Sequence, residues 1–176
     1  TFGFYYSLKG EKFDRRKNIE FVFANEFAVP AVAAFRKNYG ENIPMIAGDI
    51  CSITNEQIDE MVNGEEVDVI IGGPPCQSFS TVGQRKYDER AKLSHQYLRL
   101  LEKIKPKMFL FENVRGLLSH DEGRTFRTIL DIFEDEGYVT YYKVLNAWNY
   151  GVPQKRERLI TVGIRKDLAE HCRFEF

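Results

Sequence analysis

The chain has 176 residues, and its 25 basic and 26 acidic side chains give a formal charge of -1. This length suits one domain that buries roughly two thirds of its unfolded surface. A hydrophobic content of 43% without biased tracts excludes disordered and fibrous classes. The near-neutral charge excludes a whole-molecule field that attracts polyanions, so contacts with nucleic acid must come from local patches. No apolar stretch approaches the ~20 residues of a membrane helix, and we expect a soluble cytoplasmic protein.

Short runs of β-forming residues alternate with helical periodicity, which predicts an α/β sheet with crossover helices. In chain order the pattern predicts a helix at 2–8, a strand at 19–24, a helix at 27–38, a strand at 43–47, a helix at 56–62, a strand at 67–72, a helix at 93–104, a strand at 107–111, a helix at 125–136, and strands at 139–145 and 158–164. Thr54 and Asn55 are candidate caps for the third helix. The last two strands could pair as antiparallel neighbours.

No strand precedes the first predicted helix, although the first strand of a doubly wound sheet normally lies at its centre. A sheet without that strand would expose unpaired backbone, which complete native domains avoid. We therefore expect the chain to be a fragment that lacks its first strand. Residues 73–90 lack periodicity, and so long an irregular segment inside a compact domain predicts a functional loop.

Three cysteines are too few and too widely spaced to predict a disulfide framework or a zinc site. Cys51, Cys76 and Cys172 form no Cys-x-x-Cys pair and no Cys/His cluster. A lone cysteine is usually a small buried apolar side chain, and we expect this of Cys51 and Cys172.

The setting of Cys76 is different. Residues 72–80 read Gly-Gly-Pro-Pro-Cys-Gln-Ser-Phe-Ser and follow a predicted strand that is covered on both faces. Open α/β sheets bind ligands at the carboxyl ends of their strands. The prolines restrict the backbone, and the glycines allow it to approach a ligand closely. We therefore interpret Cys76 as a nucleophile on a stiff turn.

A carboxylate, Glu112, lies at the end of the next predicted strand, so it is expected at the same edge of the sheet as Cys76. A thiolate beside a carboxylic acid suits addition to an electron-poor ring, because the sulfur attacks while the acid supplies or holds a proton on a ring nitrogen. Taken alone, a glutamate in this position is usually solvated.

Two arginines precede the last predicted strand. Alternation along an extended backbone would place Gln154, Arg156 and Arg158 on one face. Arginines there could fix a ring carbonyl and lower the pKa of a thiol. By itself, such a pair is usually surface charge.

Together the three motifs resemble those of the C5-cytosine DNA methyltransferases. They are Pro-Cys-Gln at 75–77, Glu-Asn-Val at 112–114 and Gln-x-Arg-x-Arg at 154–158, with similar flanks at 78–80, 117–121, 145–147 and 150–151. The resemblance covers nearly the whole chain. It implies a doubly wound, Rossmann-like methyltransferase fold, S-adenosylmethionine as methyl donor, and no metal. It also implies a cytosine swung out of double-stranded DNA, because its reactive carbons are unreachable inside the stack.

The resemblance also implies a role for each motif residue. Cys76 would add to cytosine C6, and Glu112 would bond N3 of the ring. Arg156 would hold the O2 edge, and Arg158 would support the site by pairing with Glu112. A base, such as water, must later remove the C5 proton, and the sequence does not identify it.

Further residues match positions that bind the methyl donor or the nucleic acid in this family. Glu26 would accept the ribose hydroxyls, as acidic residues do in nucleotide-binding βα units, and Phe27 would stack on adenine. The positions implied for the donor site are Glu26, Phe27, Asp49, Ile50, Pro75 and Leu93. Those implied for contact with nucleic acid are Gln77, Ser80, Arg85, Lys86 and Arg90.

Some family features are absent from the sequence. The Phe-x-Gly-x-Gly element that cradles the methionine portion of the donor is reduced to Thr-Phe-Gly at residues 1–3, and no target-recognition region follows the last strand. Residues 1–176 are therefore interpreted as a partial catalytic domain with an incomplete donor site. We expect little activity from the isolated chain, and the recognised DNA sequence stays open.

The sequence leaves several functions open. The compact motif spacing favours a bacterial restriction-modification role in the cytoplasm or on the nucleoid, with a cognate restriction endonuclease as functional partner. A branch of the family methylates transfer RNA with the same motifs. A catalytically inactive binding module is disfavoured by the intact motifs, and a dinucleotide-dependent oxidoreductase by the absence of G-x-G-x-x-G.

Overall fold

The computed structural model describes residues 6–9, 12–15, 18–41, 43–75, 89–171 and 173–176, with backbone alone at 6–9, 12–15 and 89–92. The chain divides into two compact units, Thr1–Ser52 and Ile53–Phe176. None of the helices in the described ranges has the length and apolarity that crossing a membrane requires.

The first unit begins with a hairpin. Strands β1 (Tyr6–Lys9) and β2 (Lys12–Arg15) pair in antiparallel register, with Lys9 opposite Lys12. The helix predicted at 2–8 is therefore wrong for residues 6–8. A sequence signal for the hairpin was present, because the two residues between the strands are Gly-Glu, and glycine at the first of two connecting positions is typical of tight hairpins.

A parallel strand pair follows in the same unit. β3 (Ala24–Glu26) pairs with β4 (Met45–Ala47), and helix α1 (Val29–Tyr39) connects them. The strand predicted at 19–24 is misplaced, since pairing begins only at Ala24. Phe21 instead packs its ring against Phe35 and Tyr39, with centroid distances of 6.4 and 6.3 Å, so this part of the apolar run contributes to packing rather than to the sheet.

The second unit contains a four-stranded sheet. Its strands are β5 (Val69–Gly72), β6 (Met108–Val114), β7 (Tyr138–Asn146) and β8 (Glu157–Arg165), in the order β5-β6-β8-β7. β5 and β6 are parallel, whereas β8 is antiparallel to both β6 and β7, which confirms the predicted antiparallel pairing. The parallel pairs with connecting helices confirm the predicted α/β fold class.

Among the described residues of the second unit, four segments are α-helical: α2 (Asn55–Val62), α3 (Glu89–Ile104), α4 (Arg124–Asp135) and α5 (Lys166–Ala169). The predicted cap at Thr54 is confirmed. The Thr54 hydroxyl accepts from the Gln57 backbone N–H, while the Gln57 side chain accepts from the Thr54 N–H. Helix α3 begins four residues before its predicted start at 93, so Arg90 lies in a helix rather than in the loop.

The core lies on one face of the four-stranded sheet. Phe109, Phe111 and Leu159 project from the strands, and all three are fully buried. Rings and aliphatic side chains from α3 and α4 cover them; for example, the Phe109 and Phe133 centroids are 4.5 Å apart. A Cβ on Gly163 would collide with the Phe109 ring, so the glycine makes room for an aromatic side chain on the neighbouring strand.

Candidate active site

Glu112 projects from β6 and forms an ion pair with Arg158 of β8. The structure corrects the expectation that the strand ends at residue 111, because β6 continues to Val114 and includes Glu112. Glu112 lies opposite Ile160, and Val114 lies opposite Arg158, so the two charged residues occupy diagonal positions on one face of the sheet. The Arg158 Nε lies 2.8 Å from the Glu112 Oε1. This is the pairing that the family resemblance implies.

The pair is accessible from solvent on one side. The Glu112 side chain is 38% exposed and the Arg158 side chain 25%, so the carboxylate is oriented without being sealed from an incoming ring. The Arg158 Nη1 also donates to the Glu157 carbonyl at 2.8 Å, which fixes the guanidinium further. Within the described residues, this carboxylate therefore has a defined direction and an open face.

The residues that follow β5 run directly beside Glu112. A Cβ placed on Gly73 would lie 2.9 Å from the Glu112 Oε2 and 3.2 Å from the Glu112 carbonyl oxygen. A Cβ on Gly72 would lie 2.6 Å from the Tyr97 ring. The glycines of this motif were expected to permit close approach to a ligand, and here they permit close approach to the carboxylate and to the core.

Two buried side chains bind the carbonyls of the following prolines. The Asn113 Nδ2 donates to the Pro74 carbonyl at 3.0 Å, and the Ser94 hydroxyl donates to the Pro75 carbonyl at 3.1 Å. Asn113 is 5% exposed and Ser94 is 1% exposed. Neither contact was predicted from the sequence, because the bonded residues are 19 and 39 positions apart.

The candidate nucleophile itself lies outside the described residues, as do most of the residues expected to contact nucleic acid. These are Cys76, Gln77, Ser80, Arg85 and Lys86. Arg90 is placed in α3 by its backbone. The proximity of the Cys76 sulfur to Glu112 therefore stays a prediction, whereas the backbone that leads to Cys76 is described as far as Pro75.

Arg156 precedes β8 on an irregular segment. The extended backbone predicted for 154–158 is found only from Glu157, because the Gln154 N–H turns back to the Val152 carbonyl at 2.7 Å. The Asn146 Oδ1 accepts from the Arg156 N–H at 3.2 Å, which ties this segment to the end of β7. The Arg156 side chain is exposed.

The candidate donor-binding residues of the first unit lie at adjacent strand ends. Glu26 is the last residue of β3 and lies opposite Ala47, the last residue of β4, while Asp49 follows two residues later. The Ala28 N–H donates to the Glu26 Oε1, and the Cys51 N–H donates to the Asp49 Oδ1, both at 2.9 Å. Phe27 is 76% exposed.

This set of groups fits a nucleoside. Carboxylates at neighbouring strand ends can accept from ribose hydroxyls and from an exocyclic amine, and an exposed phenyl ring can stack on a base. Ile50 begins a short 3₁₀ turn directly after Asp49. Pro75 and Leu93 belong to the second unit, so a pocket shared by all six residues stays a prediction.

Cys51 corrects another expectation, because it is exposed rather than buried. It lies in the 3₁₀ turn Ile50–Ser52, which follows β4. Cys172 lies outside the described residues.

The chain is similar in sequence to one family of known proteins. Residues 3–175 match the family model described as C-5 cytosine-specific DNA methylase. The Type II methyltransferase M.BsuFI of Bacillus subtilis is 43% identical over 149 residues, which are 84% of this chain and 34% of the relative. M.FnuDI of Fusobacterium nucleatum is 41% identical over 163 residues, which are 92% of this chain and 45% of the relative.

A solved structure shares the fold. The S. pombe Dnmt2 methyltransferase superposes with a TM-score of 0.67 and 21% identity, over 91% of this chain and 46% of that one. At this identity the likeness concerns the fold alone. In all three comparisons the chain spans less than half the length of the protein that it matches.

Proposed function

This chain belongs to the C-5 cytosine-specific DNA methylases, and on that basis we propose that it carries catalytic machinery for methylating C5 of cytosine in double-stranded DNA. The observation that carries the proposal is the oriented Glu112–Arg158 pair beside the Gly-Pro-Pro segment that leads to Cys76. A carboxyl group in this position can hold a proton at N3 of a cytosine ring while a sulfur adds to C6 on the other side of the ring.

In the proposed reaction, residues of the second unit act on the cytosine ring, while the methyl group comes from the donor. The Cys76 thiolate forms a bond to C6 of a flipped-out cytosine, and the electron pair of the C5–C6 double bond moves toward C5 and N3. Glu112 holds a proton at N3, which offsets the charge that develops on the ring, and Arg158 keeps that carboxylate in place. The exposed Arg156 binds O2. After C5 is methylated, a base removes the C5 proton, and the sulfur leaves as thiolate.

The methyl donor is proposed to be S-adenosylmethionine, leaving S-adenosylhomocysteine as product. When bound, it supplies an electrophilic methyl group. Glu26 would accept from its ribose hydroxyls, Asp49 from its adenine amine, and Phe27 and Ile50 would pack on the base, with Pro75 and Leu93 lining the pocket. The exposed ring and the paired strand ends of the first unit support these assignments.

Double-stranded DNA is the proposed substrate, and phosphate contacts are assigned to Arg85, Lys86 and Arg90. Gln77 and Ser80 would contact the displaced nucleotide. Such contacts release counterions, so binding should weaken steeply with salt. The bacterial Type II relatives support a role in a restriction-modification system with a cognate endonuclease as functional partner.

Covalent trapping tests this function directly. The full-length gene product, with S-adenosylmethionine and duplex DNA containing 5-fluorocytosine, is expected to form a stable protein–DNA adduct, because fluorine cannot leave C5 as a proton does. Cys76→Ala should abolish the adduct, and Cys51→Ala, which changes the exposed cysteine of the first unit, should not. An adduct that survives Cys76→Ala contradicts the mechanism.

Transfer RNA is the second candidate substrate, because a branch of this family uses the same motifs on it. Methyl incorporation into duplex DNA and into transfer RNA, measured side by side with the same protein, separates the two. Incorporation into transfer RNA alone would replace the DNA assignment.

A further inference from the structure

We propose that Ser94 and Asn113 act together as a proline clamp that positions the candidate nucleophile by fixing the two carbonyls directly before it. Neither residue belongs to the proposed reacting set. The inference rests on the proposed function for its meaning, but its evidence is the hydrogen bonding and burial of described residues. These side chains bind protein backbone, so they are positioning residues rather than catalytic ones.

The first point of the clamp is the Ser94 hydroxyl on α3. Serine in a helix interior ordinarily bonds the carbonyl four residues back, and as a helix former it is inferior to alanine. Here its hydroxyl donates instead to the Pro75 carbonyl, 19 residues away in sequence, at 3.1 Å. Ser94 is 1% exposed, so the hydroxyl has no route to bulk solvent if this bond is lost.

The second point is the Asn113 amide on β6. Successive side chains of a strand point to opposite faces, so Asn113 faces the core while Glu112 faces the opposite side. The Asn113 Nδ2 donates to the Pro74 carbonyl at 3.0 Å, and its Oδ1 accepts from the Val114 N–H at 2.9 Å. Because both ends of this buried amide are bound, its orientation is fixed.

The two contacts matter because they use the backbone groups through which this segment can accept hydrogen bonds. Proline has no backbone N–H, so Pro74 and Pro75 can bond to the rest of the protein only through their carbonyl oxygens. The Pro75 carbonyl belongs to the planar peptide group that joins Pro75 to Cys76. Fixing that carbonyl therefore fixes the orientation of the bond from which residue 76 continues.

The clamp also fixes this segment relative to the carboxylate. Gly73 approaches Glu112 so closely that a Cβ has no room there, and the next two residues are the clamped prolines. Asn113, the neighbour of Glu112 on β6, supplies one of the two bonds. The strand that orients the acid therefore also positions the backbone that leads to the nucleophile.

The test compares Ser94→Ala with Ser119→Ala in the full-length gene product. Ser119 is a matched control, because its exposed hydroxyl also donates to a backbone carbonyl, that of Gly116, at 3.2 Å. Single-turnover trapping on 5-fluorocytosine DNA gives the rate of adduct formation, and a DNA titration gives the affinity. Ser94→Ala should slow trapping about 10- to 100-fold with DNA affinity unchanged, since small misplacements of a reacting group cost rates of this size.

Thermal unfolding accompanies each variant. If Ser94→Ala lowers the melting temperature strongly, Ser94→Cys, which keeps the side-chain volume with a weaker donor, takes its place. Trapping by Ser94→Ala at the wild-type rate overturns the proposal. So does a loss of rate that Ser119→Ala shares.

A readout independent of DNA chemistry separates this inference from the proposed function. Alkylation of each cysteine is followed by peptide mass spectrometry across pH, with exposed Cys51 as the internal reference. In Ser94→Ala the pH profile at Cys76 should shift relative to wild type while that at Cys51 does not. Failure of the wild-type protein to trap DNA would contradict the proposed function alone. An alkylation pH profile of Cys76 that is the same in Ser94→Ala and in the wild type would overturn the clamp, whatever the trapping result.

Discussion

Glu112 and Asn113 are neighbours in sequence but serve opposite faces of β6. Because side chains alternate along the strand, the Glu112 carboxylate lies against Arg158 and the Asn113 amide bonds the Pro74 carbonyl. One dipeptide therefore orients the candidate acid and holds the backbone before the candidate nucleophile. We therefore expect a small backbone shift beside Glu112 to lower the rate of covalent trapping more than the free energy of unfolding.

The variant Gly73→Ala tests this expectation, because it adds a single Cβ beside Glu112. In Gly73→Ala the new Cβ would lie 2.9 Å from the Glu112 Oε2 and 3.2 Å from the Glu112 carbonyl, so the carboxylate must move. We expect about a 10- to 100-fold loss of trapping rate, read from single-turnover kinetics. Gly116→Ala is the control, because a Cβ there meets nothing within 4 Å. Equal rates for both variants would contradict the geometry.

Thr161 on β8 offers a stability prediction. Its hydroxyl is fully buried and has no hydrogen-bond partner among the described residues. Thr161→Val removes this unsatisfied group at nearly constant volume, so the free energy of unfolding should rise by about 1 kcal/mol.

The matched control for Thr161 is Thr125, which is also buried but is bonded. The Thr125 Oγ1 lies 2.8 Å from the His120 Nδ1, so Thr125→Val should lower the free energy of unfolding by about 1 kcal/mol. Urea unfolding measures both variants. A destabilised Thr161→Val would show that its hydroxyl is bonded after all.

At the scale of elements, helix α3 ends in a conformation that favours glycine. Lys105 follows the helix with φ of 49°, and its N–H bonds to the Leu101 carbonyl at 2.9 Å. A residue with a Cβ pays roughly 1–2 kcal/mol in this left-handed region. Lys105→Gly is therefore expected to raise the free energy of unfolding by about 1 kcal/mol.

The corresponding control lies inside the same helix. Glu102→Gly, at an exposed interior position of α3, should lower the free energy of unfolding by about 1 kcal/mol, because glycine there adds only backbone entropy to the unfolded chain. Chemical denaturation of the two variants gives opposite signs if the left-handed geometry governs the helix end. The same sign in both would contradict it.

The elements that could be predicted from the sequence are those marked by local features, such as a capping residue or an apolar stripe. Helices α2 and α4 were placed within one residue, because the Thr54 cap and the apolar stripe of residues 125–136 are local features. The strand at 19–24 was misplaced since an apolar run does not reveal whether its side chains pack, as Phe21 does, or pair in a sheet. The sequence pattern also predicted a strand that ends at residue 111, whereas β6 continues to Val114 and includes Glu112.

The residues of the candidate site could be predicted from the sequence, but the hydrogen bonds that hold its backbone could not. The resemblance implied the Glu112–Arg158 pair, which the structure contains. The bonds from Ser94 and Asn113 join residues 19 and 39 positions apart, and no local pattern encodes contacts of that range. The position of the Cys76 sulfur relative to Glu112 stays a prediction.

At the scale of the second unit, exposed carboxylates link stability to pH. Four described side chains have a pKa below the ordinary value of 4.5 for Glu or 3.8 for Asp: Glu56, Glu66, Asp121 and Asp167. The Glu66 pKa is lowered mainly by a hydrogen bond from Lys107, that of Asp121 by one from Arg124, and that of Asp167 by one from Arg165. For Glu56 the main cause is its own backbone N–H.

The sign of this linkage follows from the lowered pKa values. A carboxylate with a lower pKa in the folded state contributes stability above its unfolded pKa, and that contribution is lost as the pH falls through the folded pKa. The free energy of unfolding should therefore be level above about pH 5 and fall with acidification below about pH 4.5. Urea unfolding from pH 6 to pH 2.5 measures it. Asp121→Asn should make the fall shallower, and an unchanged slope would contradict the contribution of that carboxylate.

The strand order β5-β6-β8-β7 also constrains how the protein can be assembled on the ribosome. β8 emerges after β7 yet occupies the place between β6 and β7, so β6 keeps an unsatisfied edge until the closing hairpin is inserted. Arg158 is part of β8, so Glu112 gains its ion-pair partner only when β8 joins the sheet. Among the described strands, an oriented Glu112 carboxylate therefore requires that β8 has already paired with β6.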